Sequence, residues 1–92
     1  MDKTPEEILE ENGYDIKALE EERTLFFRNP DFSTAIIGVT DDYHIVYDYD
    51  KMVEHLVKYE DMTEEEAIEW LDYNTLRSYS SEGLMPIVVY TF

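Results

Sequence analysis

Ninety-two residues carry 23 Asp and Glu against seven Lys and Arg, a formal net charge of -16 at pH 7. A chain this anionic repels nucleic acid, anionic lipid and nucleotide phosphate on approach, which argues against direct nucleic-acid or membrane-surface binding. Cysteine is absent, which removes disulfides, thiolate zinc sites and cysteine nucleophiles.

The length fits one domain, residues 1–92, with a radius of gyration of roughly 12 Å. Hydrophobic residues make up 43% and aromatics 14% of the chain. That apolar content is periodic, so the chain reads as folded rather than disordered despite its charge. The opening Met1-Asp2-Lys3-Thr4-Pro5-Glu6-Glu7 has no basic stretch followed by an apolar one, so no signal peptide is expected. Apolar runs reach about five residues, against the ~20 that span a membrane. A cytoplasmic location is the expectation.

Thr4-Pro5-Glu6-Glu7 predicts a helix start, with Thr4 capping, Pro5 at the first helical position and Glu7 completing a capping box. Asn12-Gly13 is its stop. A second helix is expected from near Asp15 to about Glu22, with Ile16 and Leu19 inward. Residues 23–27 extend it or leave it. Asn29-Pro30-Asp31 is a turn. Residues 35–39 and 44–48 read as two strands of a hairpin, although Asp41-Asp42-Tyr43 lacks the Asp-Gly that favours a tight turn.

Asp48 or Asp50 can cap a third helix, about Asp50 to Glu60, burying Met52, Val53, Leu56 and Val57. Glu54 and Lys58 form an i,i+4 pair on its other side. Thr63 and Glu66 make a second capping box. That fourth helix runs to about Leu76, with Ala67, Ile68, Leu71 and Thr75 toward the core and Trp70 on the flank. Ser78 to Gly83 is a polar loop, and residues 86–91 form a closing strand. The order ααββααβ predicts an α+β fold: a three-stranded, mainly antiparallel sheet with about four helices mostly on one face.

The acids are clustered. Residues 1–22 carry nine acids and two lysines. Residues 41–50 carry four acids, and 60–72 seven, and neither block has a Lys or Arg. Glu6, Glu7, Glu64, Glu65 and Glu66 fall in helix first turns, where acids complement the macrodipole. The total is larger than that rule needs. B-DNA carries one charge per ~1.7 Å of axis, so sixteen charges match roughly 27 Å of duplex.

Motifs for other chemistry are weak. Asp48-Tyr49-Asp50, near Asp41, Asp42, His44 and His55, is the best candidate for a hard cation, but it lacks the spacing and glycine of an EF-hand. Two histidines without cysteine do not make a zinc set, and both read as surface residues. No serine lies in a nucleophile elbow, and no glycine loop cradles phosphate. The chain reads as a non-enzyme without catalytic residues, resident metal or cofactor. Tyr43, Tyr47 and Tyr49 lie among the acids of the 41–50 block, and tyrosine beside carboxylates suits a partner carrying Arg.

Ile37-Gly38-Val39-Thr40, the stretch Tyr47 to Glu54, Met62 to Ala67, Glu69 to Arg77 and Pro86 to Val89 together resemble a group of short acidic proteins of Firmicutes and their phages and mobile elements. Asp-Tyr-Asn-Thr-Leu-Arg at 72–77 is the most specific stretch. Members often carry an Asp-Gly hairpin turn, from which Asp41-Asp42-Tyr43 departs. The resemblance implies no catalytic residues. The setting it implies includes inhibitors of bacterial defence, some of which imitate DNA.

The expected function is therefore a DNA-mimic inhibitor, of anti-CRISPR or other anti-defence type, that blocks the cationic groove of a nucleic-acid-binding effector. Its expected contact residues are Asp41, Asp42, Tyr43, Asp48 and Asp50, and Glu64, Glu65, Glu66, Glu69 and Asp72. A small accessory domain with an apolar contact surface and a carboxylate binder of divalent metal are the alternatives.

Overall fold

The computed structural model describes residues 3–28, 30–75 and 83–91. Asn29 of the expected turn, the helix end at Leu76, Arg77 and loop residues 78–82 lie outside them, as does the side chain of Thr75. Helix α1 (Pro5–Glu11) starts on the Thr4–Glu7 capping box, and α2 (Ile16–Glu21) starts on Asp15. Both end in the same way. Tyr14 N–H reaches back to Leu9 O and Thr24 N–H to Leu19 O, with Gly13 and Arg23 in the left-handed region. This is the Schellman arrangement, with an arginine where glycine is usual at the second site. Arg23 thus turns the chain out of α2, and residues 24–28 run on without helix.

A short 3-10 turn (Ser33–Ala35) leads into β1 (Ile36–Val39), which pairs antiparallel with β2 (Ile45–Asp48). The loop between them closes with Tyr43 N–H to Thr40 O and Thr40 N–H to His44 O. Tyr43 takes φ 69°. It occupies the left-handed position of a three-residue hairpin loop, where glycine is the usual residue.

β2 passes directly into α3 (Tyr49–Tyr59), followed by α4 (Glu64–Trp70) and one widened π turn (Leu71–Thr75). β3 (Ile87–Val89) then pairs with β2 in parallel, giving the order β1-β2-β3. The class is α+β, as the sequence predicts, but the sheet is mixed rather than mainly antiparallel. The cause lies just before β3. Leu84 bonds Arg23 and Leu25 through backbone groups, and Met85 O lies 2.7 Å from His44 Nδ1. These ties hold the start of β3 beside the start of β2, so the strands run the same way. Gly83 allows the approach, since a Cβ there would stand 2.4 Å from Arg23 O.

The core lies against one sheet face. Ile36, Tyr47 and Val88 are opposite one another in register, as are Val39 and Ile45. Against them pack Leu9, Leu19, Phe27, Phe32, Met52, Leu56 and Leu71. Tyr47, one of the three tyrosines placed among the acids, is fully buried; its hydroxyl accepts the Phe27 N–H at 3.2 Å. Two other expectations fail. Val57 and Ile68 are each 41% exposed, and His55, read as a surface residue, is 6% exposed. His55 fills the place of Val57 because Phe32 and Thr34 close over that side of α3. The molecule measures 37 × 30 × 26 Å, with a radius of gyration of 13.0 Å.

Candidate functional site: an acidic face beside α3 and α4

The two acid-rich blocks meet in part. The start of α3 and the exposed side of α4 enclose an open hollow of about 300 Å³, lined by Tyr49, Asp50, Val53, Glu54, Glu64 and Ile68. Glu64, Ile68 and Asp72 recur every four residues, the spacing of one helix row. Asp72 continues that row through the π turn. Its charge reaches Tyr49: burial first, then Tyr90, Asp72 and Asp50, push the Tyr49 phenol above its ordinary value. Tyr90, 62% exposed, packs on Tyr49 with ring centroids 4.7 Å apart. Carboxylates from both blocks therefore surround an aromatic and aliphatic floor.

The remaining acids of α4 divide by role. Glu66 closes the capping box, its Oε1 accepting the Thr63 N–H at 2.8 Å. Glu65 and Glu69 are exposed, one turn apart on the outer row, and make no ion pair among the described residues. No basic residue stands in the last turn of α4. The helix runs on through the π turn, so Glu69 and Asp72 lie in its second half, toward the negative side of the dipole.

Asp48, expected among the contact residues, is buried instead. It is 5% exposed and caps α3: one oxygen accepts the Lys51 N–H, and the other the Thr91 hydroxyl at 3.0 Å. A carboxylate so buried and engaged presents little to a partner. Asp50, two residues on, is exposed at the rim of the hollow.

The hairpin tip stands apart. Six residue steps, most of them extended, lead from Asp42 to Asp48, a reach of at most about 20 Å. Asp42 accepts the Thr40 hydroxyl at 2.6 Å and lies 3.7 Å from His44 Nε2. The Thr40 hydroxyl, then its own backbone N–H, hold the Asp42 carboxyl below its ordinary value, and His44 adds to this. Tyr43 O accepts the buried Thr24 hydroxyl at 2.7 Å. Asp41 and the Tyr43 ring are exposed.

Rims of carboxylate around tyrosine faces suit guanidinium and ammonium groups, which take charge-assisted hydrogen bonds at their edges and cation–π contact on the ring. Among the described residues, no three His, Asp or Glu side chains converge as a metal-ligand set. No described helix is long and apolar enough to cross a membrane. Compared with known proteins, the chain matches no family model, no curated protein and no solved structure.

Sequence reasoning missed the Tyr49–Tyr90 stack and the exposure of Ile68 and Val57. The missed signal is the row Glu64–Ile68–Asp72. An apolar residue flanked on its own helix row by two acids belongs to a boundary, not to a core.

Proposed function

We propose that the chain is a non-enzymatic interaction protein that presents the α3–α4 face to a basic protein surface. The class we favour is a DNA-mimic inhibitor, of anti-CRISPR or other anti-defence type, that occupies the cationic groove of a nucleic-acid-binding effector. One observation carries the reading: Asp50, Glu54, Glu64 and Asp72 gather around a tyrosine-floored hollow, while Glu65 and Glu69 continue the acidic surface alongside. Glu69 and Asp72 lie beyond the first turn of the helix, so N-terminal dipole design does not explain them.

Exposed Val57, Ile68, Tyr73 and Tyr90 favour a contact that is partly apolar, which draws in the accessory-domain reading. The two readings differ in salt dependence. An electrostatic contact weakens steeply as salt rises, because the Debye length falls from ~10 Å at 0.1 M to ~3 Å at 1 M. The chain immobilised in bacterial lysate at low salt, then eluted with a salt gradient, separates them. The DNA-mimic reading expects early elution of a nucleic-acid-binding protein whose DNA binding the chain then competes away. A partner that stays bound at high salt, or binds its DNA undisturbed, contradicts it.

A further inference from the structure

The opposite side of α3 has a different character. Lys51, His55 and Lys58 stand at i, i+4 and i+7, a single helix row. With Thr34, Glu54 and Tyr59 they line a second cavity, of about 190 Å³. Six of the seven Lys and Arg are described. Lys3 and Arg28 are paired with Glu11 and Glu6, and Lys17 and Arg23 line neither this cavity nor the acidic hollow. Lys51 and Lys58 share this cavity, yet neither is ion-paired among the described residues. The expected Glu54–Lys58 pair does not form. Instead the Lys58 ammonium lies over the Tyr59 ring, 5.4 Å from its centroid. Two lysines that line one cavity without an ion pair among the described residues, in a chain with 23 carboxylates, call for an explanation.

His55 is the fixed element between them. It is 6% exposed, held between the Phe32 and Tyr59 rings, with Nδ1 2.7 Å from the Thr34 hydroxyl. When the imidazole proton is on Nδ1, the ring donates to Thr34 Oγ1. The Thr34 hydroxyl proton is then left to donate into the cavity. In that tautomer a hydroxyl donor is aligned by a buried ring that stands on a helix row with two lysines, donors of the kind that receive an oxyanion, with the Glu54 carboxylate the acceptor beside them. Glu54 lines both cavities, and its carboxylate opposes an anionic ligand least when it turns toward the acidic face.

We infer that this cavity binds a phosphate-type oxyanion, free or as a phosphomonoester, through Lys51, Lys58 and the His55-aligned hydroxyl of Thr34. The net charge of the chain opposes such a ligand at long range. At physiological ionic strength the Debye length is about 8 Å, so distant carboxylates are screened while groups in the cavity are not. Of its lining, only Glu54 is shared with the acidic hollow, and its test needs no protein partner.

The test is a two-dimensional amide NMR titration of the full chain at constant pH, with the ionic strength held by sodium chloride. Inorganic phosphate and phosphoserine are titrated separately. The expected result is a saturable shift at Thr34, Lys51, His55 and Lys58 at millimolar concentration. In the Lys51→Gln/Lys58→Gln variant the affinity should fall about tenfold or more, with the rest of the spectrum in place. The Thr34→Val variant should bind several-fold more weakly and move the His55 ring nitrogen signals. Saturation with phosphoserine but not inorganic phosphate assigns the monoester, and the reverse assigns the free ion. A response linear in both ligands overturns the proposal, as does an unchanged affinity in the double lysine variant.

Discussion

The hairpin tip and the α3–α4 face look alike as sequence: each draws on a run of acids without Lys or Arg, with aromatic residues in or beside it. As structure they differ. At the tip, Asp42 organises its own loop through Thr40 and His44, and the Tyr43 backbone is tied to Thr24. Around the hollow, Asp50, Glu64 and Asp72 have no ion pair among the described residues and share their surface with Tyr49, Tyr90 and Ile68. Charge density alone therefore does not mark a contact surface. What distinguishes the second region is carboxylates left without an internal role, gathered over exposed apolar groups. Asp48 makes the same point inside one block, since it is buried as a cap two residues from exposed Asp50.

The largest expected effect tests that division directly. Neutralising Asp50, Glu64, Glu69 and Asp72 together should weaken binding to a basic partner, or to an arginine-rich peptide, on the order of thirtyfold. Four exposed charges at roughly 0.5 kcal/mol each sum to about 2 kcal/mol. A charge-matched variant, Glu10, Glu20, Glu21 and Glu22 to glutamine, should lose less than a quarter of that free energy. Fluorescence anisotropy across a salt series measures both. Equal losses in the two variants would mean that net charge, rather than this face, governs binding.

Next in size is the fate of Asp48. Asp48→Ala removes the α3 cap and the acceptor of the Thr91 hydroxyl, and should destabilise the fold by about 1–2 kcal/mol. Asp50→Asn, at an exposed position with no such role, should change stability by less than ~0.5 kcal/mol. Urea denaturation with a common slope distinguishes the two. An Asp48→Ala chain as stable as the parent would restore Asp48 to the contact set.

A smaller effect has the opposite sign. Glu69→Gln and Asp72→Asn remove negative charge from the second half of the helix that α4 and its π turn form, the side on which the dipole disfavours it. Each should stabilise by about 0.3 kcal/mol, which for the pair raises Tm by a few degrees in a domain of this size. The combination of higher Tm with weaker partner binding would mark these acids as kept for contact at some cost to the fold. A lower Tm in the double variant would instead give them a structural role.

Much of the fold was legible because its cues are local. Thr4–Glu7 and Thr63–Glu66 are each complete within four residues, and Asn12-Gly13 stops α1 by its own chemistry. The parallel β3 was not legible, because its direction is set by Met85 with His44 and by Leu84 with residues 23–25, contacts between segments far apart in the chain. The candidate site was half legible for the same reason. Composition located the acids, but which of them turn inward depended on Thr91 reaching Asp48 and on Thr40 reaching Asp42. His55 and Val57 exchanged roles because Phe32, thrown inward by a left-handed turn at φ 49°, covers one side of α3 and not the other.

The tip supplies the smallest and most diagnostic effect. The Thr40 hydroxyl holds the Asp42 carboxyl below its ordinary value of 3.8 in the folded chain. A depressed carboxylate favours the folded state above its unfolded value, and the contribution disappears as pH falls through the folded value. Asp42→Ala should therefore lower Tm slightly at neutral pH, and the difference should close below pH 3.8, where Asp42 becomes protonated in both states. Asp41→Ala, which removes no described bond, is the control for charge itself. If Asp42→Ala tracks Asp41→Ala at every pH, the Thr40 bond contributes nothing. Asp42 would then join the free acids, and the hairpin tip would become a second place where this chain can meet a basic partner.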